Sequence, residues 1–321
     1  MNLEEMSDLC TPWCLHVVVT LRIAEWIEGG AAEIGALAEA AGCDRNVLHA
    51  VLGHLVHKGV FEEPEPGRFA LNDAARELTD PSRRIGLDLE GIGGRMAHAW
   101  STLLEFTRTG RPAYHKVFGR SFWEDLDAHP EVAASFDALI GPVGHGEFSP
   151  DFDVQGGWDA VHTVVDVGGG TGAMLAAILR ARPHVRGILA DLPRTVARAA
   201  TTFQAAGVAD RATTYAQSFF DPLPPGGDVY LLRGILNDWP DREAAAILRR
   251  CAEAASPRGR VVVLKSVGEE GSPKDLRIEM LLAGGKRRTL SEFDELARAS
   301  GLAVVAAGRQ PAYFVVECRP A

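Results

Sequence analysis

The sequence predicts an α/β chain: a mostly parallel, doubly wound sheet of seven strands whose last strand is antiparallel, preceded by a mainly α-helical N-terminal domain. Three observations predict it. Residues 10–71 read as helix, helix, helix, hairpin. From residue 162 onward, short apolar runs alternate with helical segments, and the first of these runs flows into a glycine-rich turn. The pattern changes in the Gly/Pro/Asp-rich stretch 142–157, which divides the chain into domains 1–150 and 151–321.

Within residues 10–28, Leu15, Val18, Val19, Leu21, Ile23 and Trp26 recur at helical spacing until Gly29-Gly30, predicting one helix. A second helix covers about 33–41, with Ile34, Leu37 and Ala38 inward and Gly42 as its stop. Asp44 is a good N-cap for a third, on which Val47, Leu48, Val51, Leu52, Leu55 and Val56 share a face. Residues 60–71 form two short extended pieces around Pro64, Pro66 and Gly67.

That order is a winged helix, which either reads DNA or pairs two chains. Charge separates the two. Residues 1–150 carry 12 Lys/Arg against 23 Asp/Glu, whereas 151–321 carry 21 against 20. The recognition helix would offer only Arg45 and Lys58 as formal cations, and the wing carries Glu62, Glu63 and Glu65. Phosphates would be repelled, so nucleic acid is excluded and a homodimer is expected.

Residues 86–150 are helical in pattern and rich in aromatics, with 109–112 as a turn. Trp100, Phe106, Tyr114, Phe118, Trp123 and Phe136, with Ile140, are core residues or the walls of a site for a flat organic substrate. Strands are expected at 162–167, 185–190, 212–216, 228–233, 260–266, 302–307 and 313–318. The first five have room for crossovers. The last two are joined by five residues, which suits a hairpin, so the sheet should end on an antiparallel strand.

Five cysteines, Cys10, Cys14, Cys43, Cys251 and Cys318, show no CxxC spacing and read as buried small hydrophobes in a reducing compartment. Cys10 and Cys14 share a helix face with His16 nearby, a pattern assigned to packing, and no metal is expected. The N-terminus lacks a basic n-region, and its apolar run is broken by Arg22 and Glu25. Neither export nor a membrane partner is expected, and the location is cytoplasmic.

The strongest local signal is Asp166-Val167-Gly168-Gly169-Gly170-Thr171-Gly172, an apolar strand entering glycines and then a helix. Asp191 ends the next strand, where a carboxylate can accept both hydroxyls of a ribose. The spacing Gly168-x-Gly170-x-Gly172 differs from the GxGxxG of dinucleotide folds. Together with Asp191-Leu192-Pro193, Ser218-Phe219-Phe220-Asp221-Pro222 and Leu236-Asn237-Asp238-Trp239-Pro240, it resembles the plant-type small-molecule O-methyltransferases and their bacterial natural-product members. The resemblance runs from about Thr11 to Cys318. It implies the Rossmann-like class I methyltransferase fold, an N-terminal winged-helix dimerisation domain and S-adenosyl-L-methionine (SAM) as cofactor, with S-adenosyl-L-homocysteine as product. Asp166, Gly168, Gly170, Asp191, Leu192, Ser218, Phe219 and Arg233 would then contact SAM.

The chain departs from that family where protons are handled. Asn237 stands where the family carries its catalytic histidine, and Lys265 and Arg287 replace two flanking glutamates. Asparagine cannot take a proton from a phenol. Either the two cations face solvent in a decayed site, or they receive an anionic group or stabilise developing negative charge. Three mechanisms fit the second reading: in-line methyl transfer to an acceptor that is already ionised, with Asn237 and Asp238 positioning it; a base supplied by His145; or a SAM-binding fold turned to pericyclic, hydroxylation or decarboxylation chemistry. Methyl transfer to a small aromatic or polyketide-type natural product is the favoured reading.

Overall fold

A computed structural model describes residues 3–140, 148–269 and 284–321. By internal contacts the chain divides into two units, Met1–Ala99 with Trp123–Gly146, and Trp100–Phe122 with Glu147–Ala321. This grouping interleaves, whereas the sequence suggests a single cut at 150; Trp100–Phe122 groups with the C-terminal residues.

The first unit is helical. The expected helix over residues 10–28 is two, Cys10–Thr20 and Ile23–Glu28, broken at Arg22, whose φ of 57° is left-handed. The break leaves Val18, Val19, Ile23 and Ala24 all buried while Arg22 reaches out toward Glu25. Helix Ile34–Ala41 ends on left-handed Gly42, and helix Arg45–His57 starts where Asp44 accepts the N–H groups of Asn46 and Val47. Such a cap contributes about 1 kcal/mol. Leu48, Leu52 and Leu55 point inward, but Val47 is 63% exposed, because the first turn of the helix looks outward. Strands β1 (Phe61–Glu65) and β2 (Arg68–Leu71) form the antiparallel hairpin, with Phe61 and Phe69 buried.

The second unit holds β3 (Thr163–Val167), β4 (Arg186–Asp191), β5 (Ala212–Ala216), β6 (Val229–Arg233) and β7 (Arg260–Leu264). A short parallel pair, β8 (Val267–Gly268) and β9 (Arg288–Thr289), precedes β10 (Leu302–Arg309) and β11 (Phe314–Pro320). The seven-stranded order is β10-β11-β7-β6-β3-β4-β5. β3 to β7 are parallel, and β11 is antiparallel to both its neighbours. The antiparallel strand is therefore last in sequence but not at the sheet's edge. It inserts between β7 and β10, so the hairpin is completed inside the sheet.

Burial on both faces explains the near-continuous apolar strands. Val164, Leu231, Val262 and Leu264 pack with Leu175, Ile178 and Leu179 of helix Ala173–Ala181. Their neighbours Val165, Tyr230, Leu232, Val261 and Val263 pack on the other face with Ile247, Leu248 and Cys251 of helix Asp241–Ala255. Cys251 and Cys318 are the expected buried hydrophobes, whereas Cys10 is exposed, at the open first turn of its helix. No helix among the described residues is long and apolar enough to cross a membrane.

Candidate active site

The chain leaves β3 for β4 on one side and returns to β6 on the other, so the sheet's switch point lies at the carboxyl ends of β3 and β6. The glycine turn follows β3. Gly168, Gly170 and Gly172 all have positive φ, at 70°, 63° and 82°. A Cβ on Gly168 would come within 2.7 Å of Ile235 Cδ1, so bulk is excluded there, while beside Gly170 the space is open. Asp191 at the end of β4 ties the turn down: its Oδ2 accepts the Gly170 N–H at 2.8 Å, and its Oδ1 accepts the Leu192 N–H at 2.7 Å. Burial pushes the Asp191 carboxyl up, and these N–H donors oppose the rise. The Thr195 hydroxyl is a third donor to this carboxylate, which with about four lone-pair sites keeps acceptor capacity for a ligand.

Asp166 is 1% exposed, and its Oδ2 has no hydrogen-bond partner among the described residues. Burial pushes its carboxyl up to about 7, with the Arg233 charge pulling down and Asp191 adding to the rise. Arg233, at the end of β6, has a buried Nε with no partner among the described residues and lays its guanidinium 4.0 Å from the centre of the Phe148 ring. A buried carboxyl oxygen and a buried cationic N–H, neither partnered among the described residues and both at the ends of adjacent strands, suit a zwitterionic ligand whose ammonium group would favour the ionised carboxylate. The amino-acid end of SAM is such a group, and the open glycine turn suits its close approach. Beyond β5, Ser218 Oγ accepts the Phe220 N–H at 3.2 Å. Phe219 and Phe220 stack edge-to-face on Trp239.

The segment after β6 carries Asn237. Its amide is engaged at both ends: Nδ2 donates to Asp238 Oδ1 at 2.8 Å, and Oδ1 accepts from Ser266 Oγ at 2.9 Å. Desolvation pushes the Asp238 carboxyl up to about 7. Lys265, just past β7, is exposed and left-handed at φ 63°. Arg287 is also exposed, beside Gly268. Arg288, overlooked by sequence reasoning, is 1% exposed. It donates to the carbonyls of Leu236 at 2.6 Å and Trp239 at 3.0 Å, and to Asp241 Oδ1 at 3.0 Å, clasping the loop that presents Asn237. Ser266 was overlooked too. Their signal was adjacency to Lys265 and Arg287, with strand-like alternation that turns one neighbour out and the next in.

A family model described as an O-methyltransferase domain matches residues 100–303. The chain is 40% identical over 316 residues to 2,7-dihydroxy-5-methyl-1-naphthoate 7-O-methyltransferase of Streptomyces carzinostaticus, covering 96% of this chain and 94% of that one. The chain belongs to the O-methyltransferase family. This methyltransferase is also 38% identical to aclacinomycin 10-hydroxylase RdmB of Streptomyces purpurascens, over 94% of this chain and 84% of the other. Among solved structures it resembles the O-methyltransferase NcsB1 of neocarzinostatin biosynthesis, in complex with S-adenosyl-L-homocysteine and 1,4-dihydroxy-2-naphthoic acid. That match has a TM-score of 0.91 and 38% identity, covering 100% of this chain and 99% of that one. The seven-stranded sheet of this methyltransferase, with its antiparallel β11, is the class I methyltransferase fold.

The aromatic residues fall in both units. In the second, Tyr114 is 2% exposed and packs on Phe118 and Phe122, so it backs a surface, while Trp100 is exposed and Phe106 half-buried. In the first, Trp123 meets Phe136 edge-to-face, with ring centres 5.8 Å apart. His145 and the side chain of Ile140 lie outside the described residues.

Proposed function

We propose that the protein transfers the methyl group of SAM to an oxygen of a small aromatic or polyketide-type natural product, with the acceptor arriving ionised. The observation that carries this reading is the convergence of the glycine turn, Asp191, the Asp166–Arg233 pair and the Asn237 loop at the carboxyl ends of parallel strands. SAM supplies an electrophilic methyl group and leaves as S-adenosyl-L-homocysteine. Asp191 would hold the ribose hydroxyls, and Leu192 and Phe219 would flank the adenine, whose amine Ser218 accepts. Asp166 would take the ammonium group, which favours its ionised form, and Arg233 the carboxylate.

Asn237 has both polar ends occupied and accepts no proton, so it orients the acceptor without acting as a base. Lys265 and Arg287 supply positive charge that favours an anionic acceptor, weakened by their exposure to solvent. Substrate contact would fall to Trp100, Phe106 and Phe118. An aromatic acid with an electron-poor, acidified hydroxyl fits this chemistry: its carboxylate is ionised at neutral pH, and such a hydroxyl releases its proton to solvent before transfer, whereas an ordinary phenol, with a pKa of about 10, stays protonated. The test is incubation with SAM and hydroxynaphthoic acids: S-adenosylhomocysteine should form in step with the methyl ether. Substrate converted without it would overturn methyl transfer in favour of the chemistry that the name of the RdmB relative denotes.

The helices and hairpin of the first unit are read as a winged helix that pairs two copies. This is supported by the acidity of the N-terminal half and the exposed Leu3, Met6, Leu9 and Trp13. Sedimentation should give twice the chain mass; a monomer would refute the pairing. The five unpaired cysteines favour the cytoplasm, where reduced thiols should be recovered from the soluble fraction.

A further inference from the structure

We propose that Cys10, Cys14 and His54 form a zinc site with three protein ligands and a fourth position open to water. Cys10 and Cys14 stand one turn apart on the helix Cys10–Thr20, and His54 comes from the helix Arg45–His57, so elements distant in sequence meet at one point. Sequence spacing suggests His16 as the neighbour, but its Nδ1 is engaged with the Leu87 carbonyl at 2.7 Å.

The distances suit the metal. The three ligand atoms lie within 4.8 Å of one another, and the two sulfurs are 3.7 Å apart. Zinc–sulfur bonds of about 2.3 Å at the tetrahedral angle set two thiolates about 3.8 Å apart, and an imidazole nitrogen about 3.6 Å from each sulfur. The sulfurs already stand at that spacing, and the ring needs at most about an ångström of movement to complete it. A disulfide would require about 2.0 Å, and both thiols are free.

The surroundings support the ligands. Thr11 Oγ1 donates to Asp8 Oδ2 at 2.5 Å and therefore accepts from His54 Nε2 at 2.8 Å, which keeps the ring proton on Nε2 and makes Nδ1 the ligand atom, as outer groups commonly do around a metal. Lys58 pairs with Asp8 at 3.0 Å, which offsets its charge beside the site. Cys10 is exposed and Cys14 only 8% exposed, giving an ion a route from solvent to a sheltered ligand. Two sulfurs and an imidazole select a soft ion over magnesium or calcium, and each thiol releases its proton to solvent when the ion binds. The bound ion would join the helix Cys10–Thr20 to the helix Arg45–His57.

The test is an anaerobic titration of reduced, chelator-treated full-length protein with Co2+, a coloured substitute for Zn2+. A thiolate-to-cobalt charge-transfer band should saturate at one ion per chain and bleach on adding Zn2+, and Zn2+ should raise the unfolding temperature. Cys10→Ser, at an exposed position, and His54→Gln should each weaken binding at least about tenfold. Cys43→Ser should titrate like the parent. Circular dichroism would establish that each variant is folded. No band at stoichiometric cobalt, or a band unchanged in folded Cys10→Ser, would overturn the site.

Discussion

Asp191 ties the glycine turn to the end of β4 through the Gly170 N–H and is itself steadied by the Leu192 N–H, so its carboxylate is placed before any ligand arrives. Asp191→Ala removes that tie and the proposed ribose acceptor together. Losing one or two hydrogen bonds of this kind costs about 1–3 kcal/mol, so SAM affinity measured by calorimetry should fall roughly 5- to 150-fold. Unchanged affinity would remove Asp191 from the cofactor site. Residues like Asp191 are legible in a sequence because an acid after an apolar strand and a glycine turn is a local pattern. The unpaired oxygen of Asp166 is not, since it depends on what the surrounding chain leaves unprovided. Nor does sequence separate Arg287 from Arg288. The resemblance draws attention to Arg287, which is exposed, while the adjacent guanidinium is buried and shapes the loop.

At the scale of elements, the sheet was readable because each buried strand is an apolar run bounded by turn residues. Its order was readable only in part. A five-residue link announces a hairpin, but insertion of β11 between β7 and β10 is decided by pairing across the whole sheet. The break at Arg22 carries no glycine or proline to announce it, and packing of the flanking apolar residues outweighs the strain of one left-handed residue. The loop after β6 is likewise shaped from afar, by an arginine on β9 that satisfies the Leu236 and Trp239 carbonyls. Arg288→Met would leave those acceptors unpaired. Unfolding in urea should show a loss of about 2–4 kcal/mol. In protein that remains folded, turnover should fall more than SAM affinity, because the loop carries Asn237 while the glycine turn is held by Asp191. Equal losses in both would show that the clasp supports the whole domain rather than the loop.

Across the whole molecule, buried and exposed carboxyls give opposite responses to pH. Asp8 is held below the ordinary carboxylate range, chiefly by the Thr11 hydroxyl, so its contribution is lost as the pH falls through its folded value. Asp166 and Asp238 behave the other way: burial pushes both up to about 7, against about 3.9 in an unfolded chain. Between those values the folded protein keeps protons that the unfolded chain has released. Stability from these two groups is therefore complete below about pH 4 and lost as the pH rises through about 7. Arg233 offsets part of the effect at Asp166, whereas among the described residues burial alone raises Asp238, which makes Asp238 the cleaner probe. Asp238→Asn keeps an oxygen to accept the Asn237 amide and removes the ionisation. Urea unfolding of the ligand-free protein should find the variant more stable than the parent at pH 8, with the gap narrowing steadily toward pH 5. The acid limb, set by groups such as Asp8, should be shared by both. A gap independent of pH would mean that the Asp238 carboxyl ionises at its ordinary value, and the neutral limb would then have to come from Asp166.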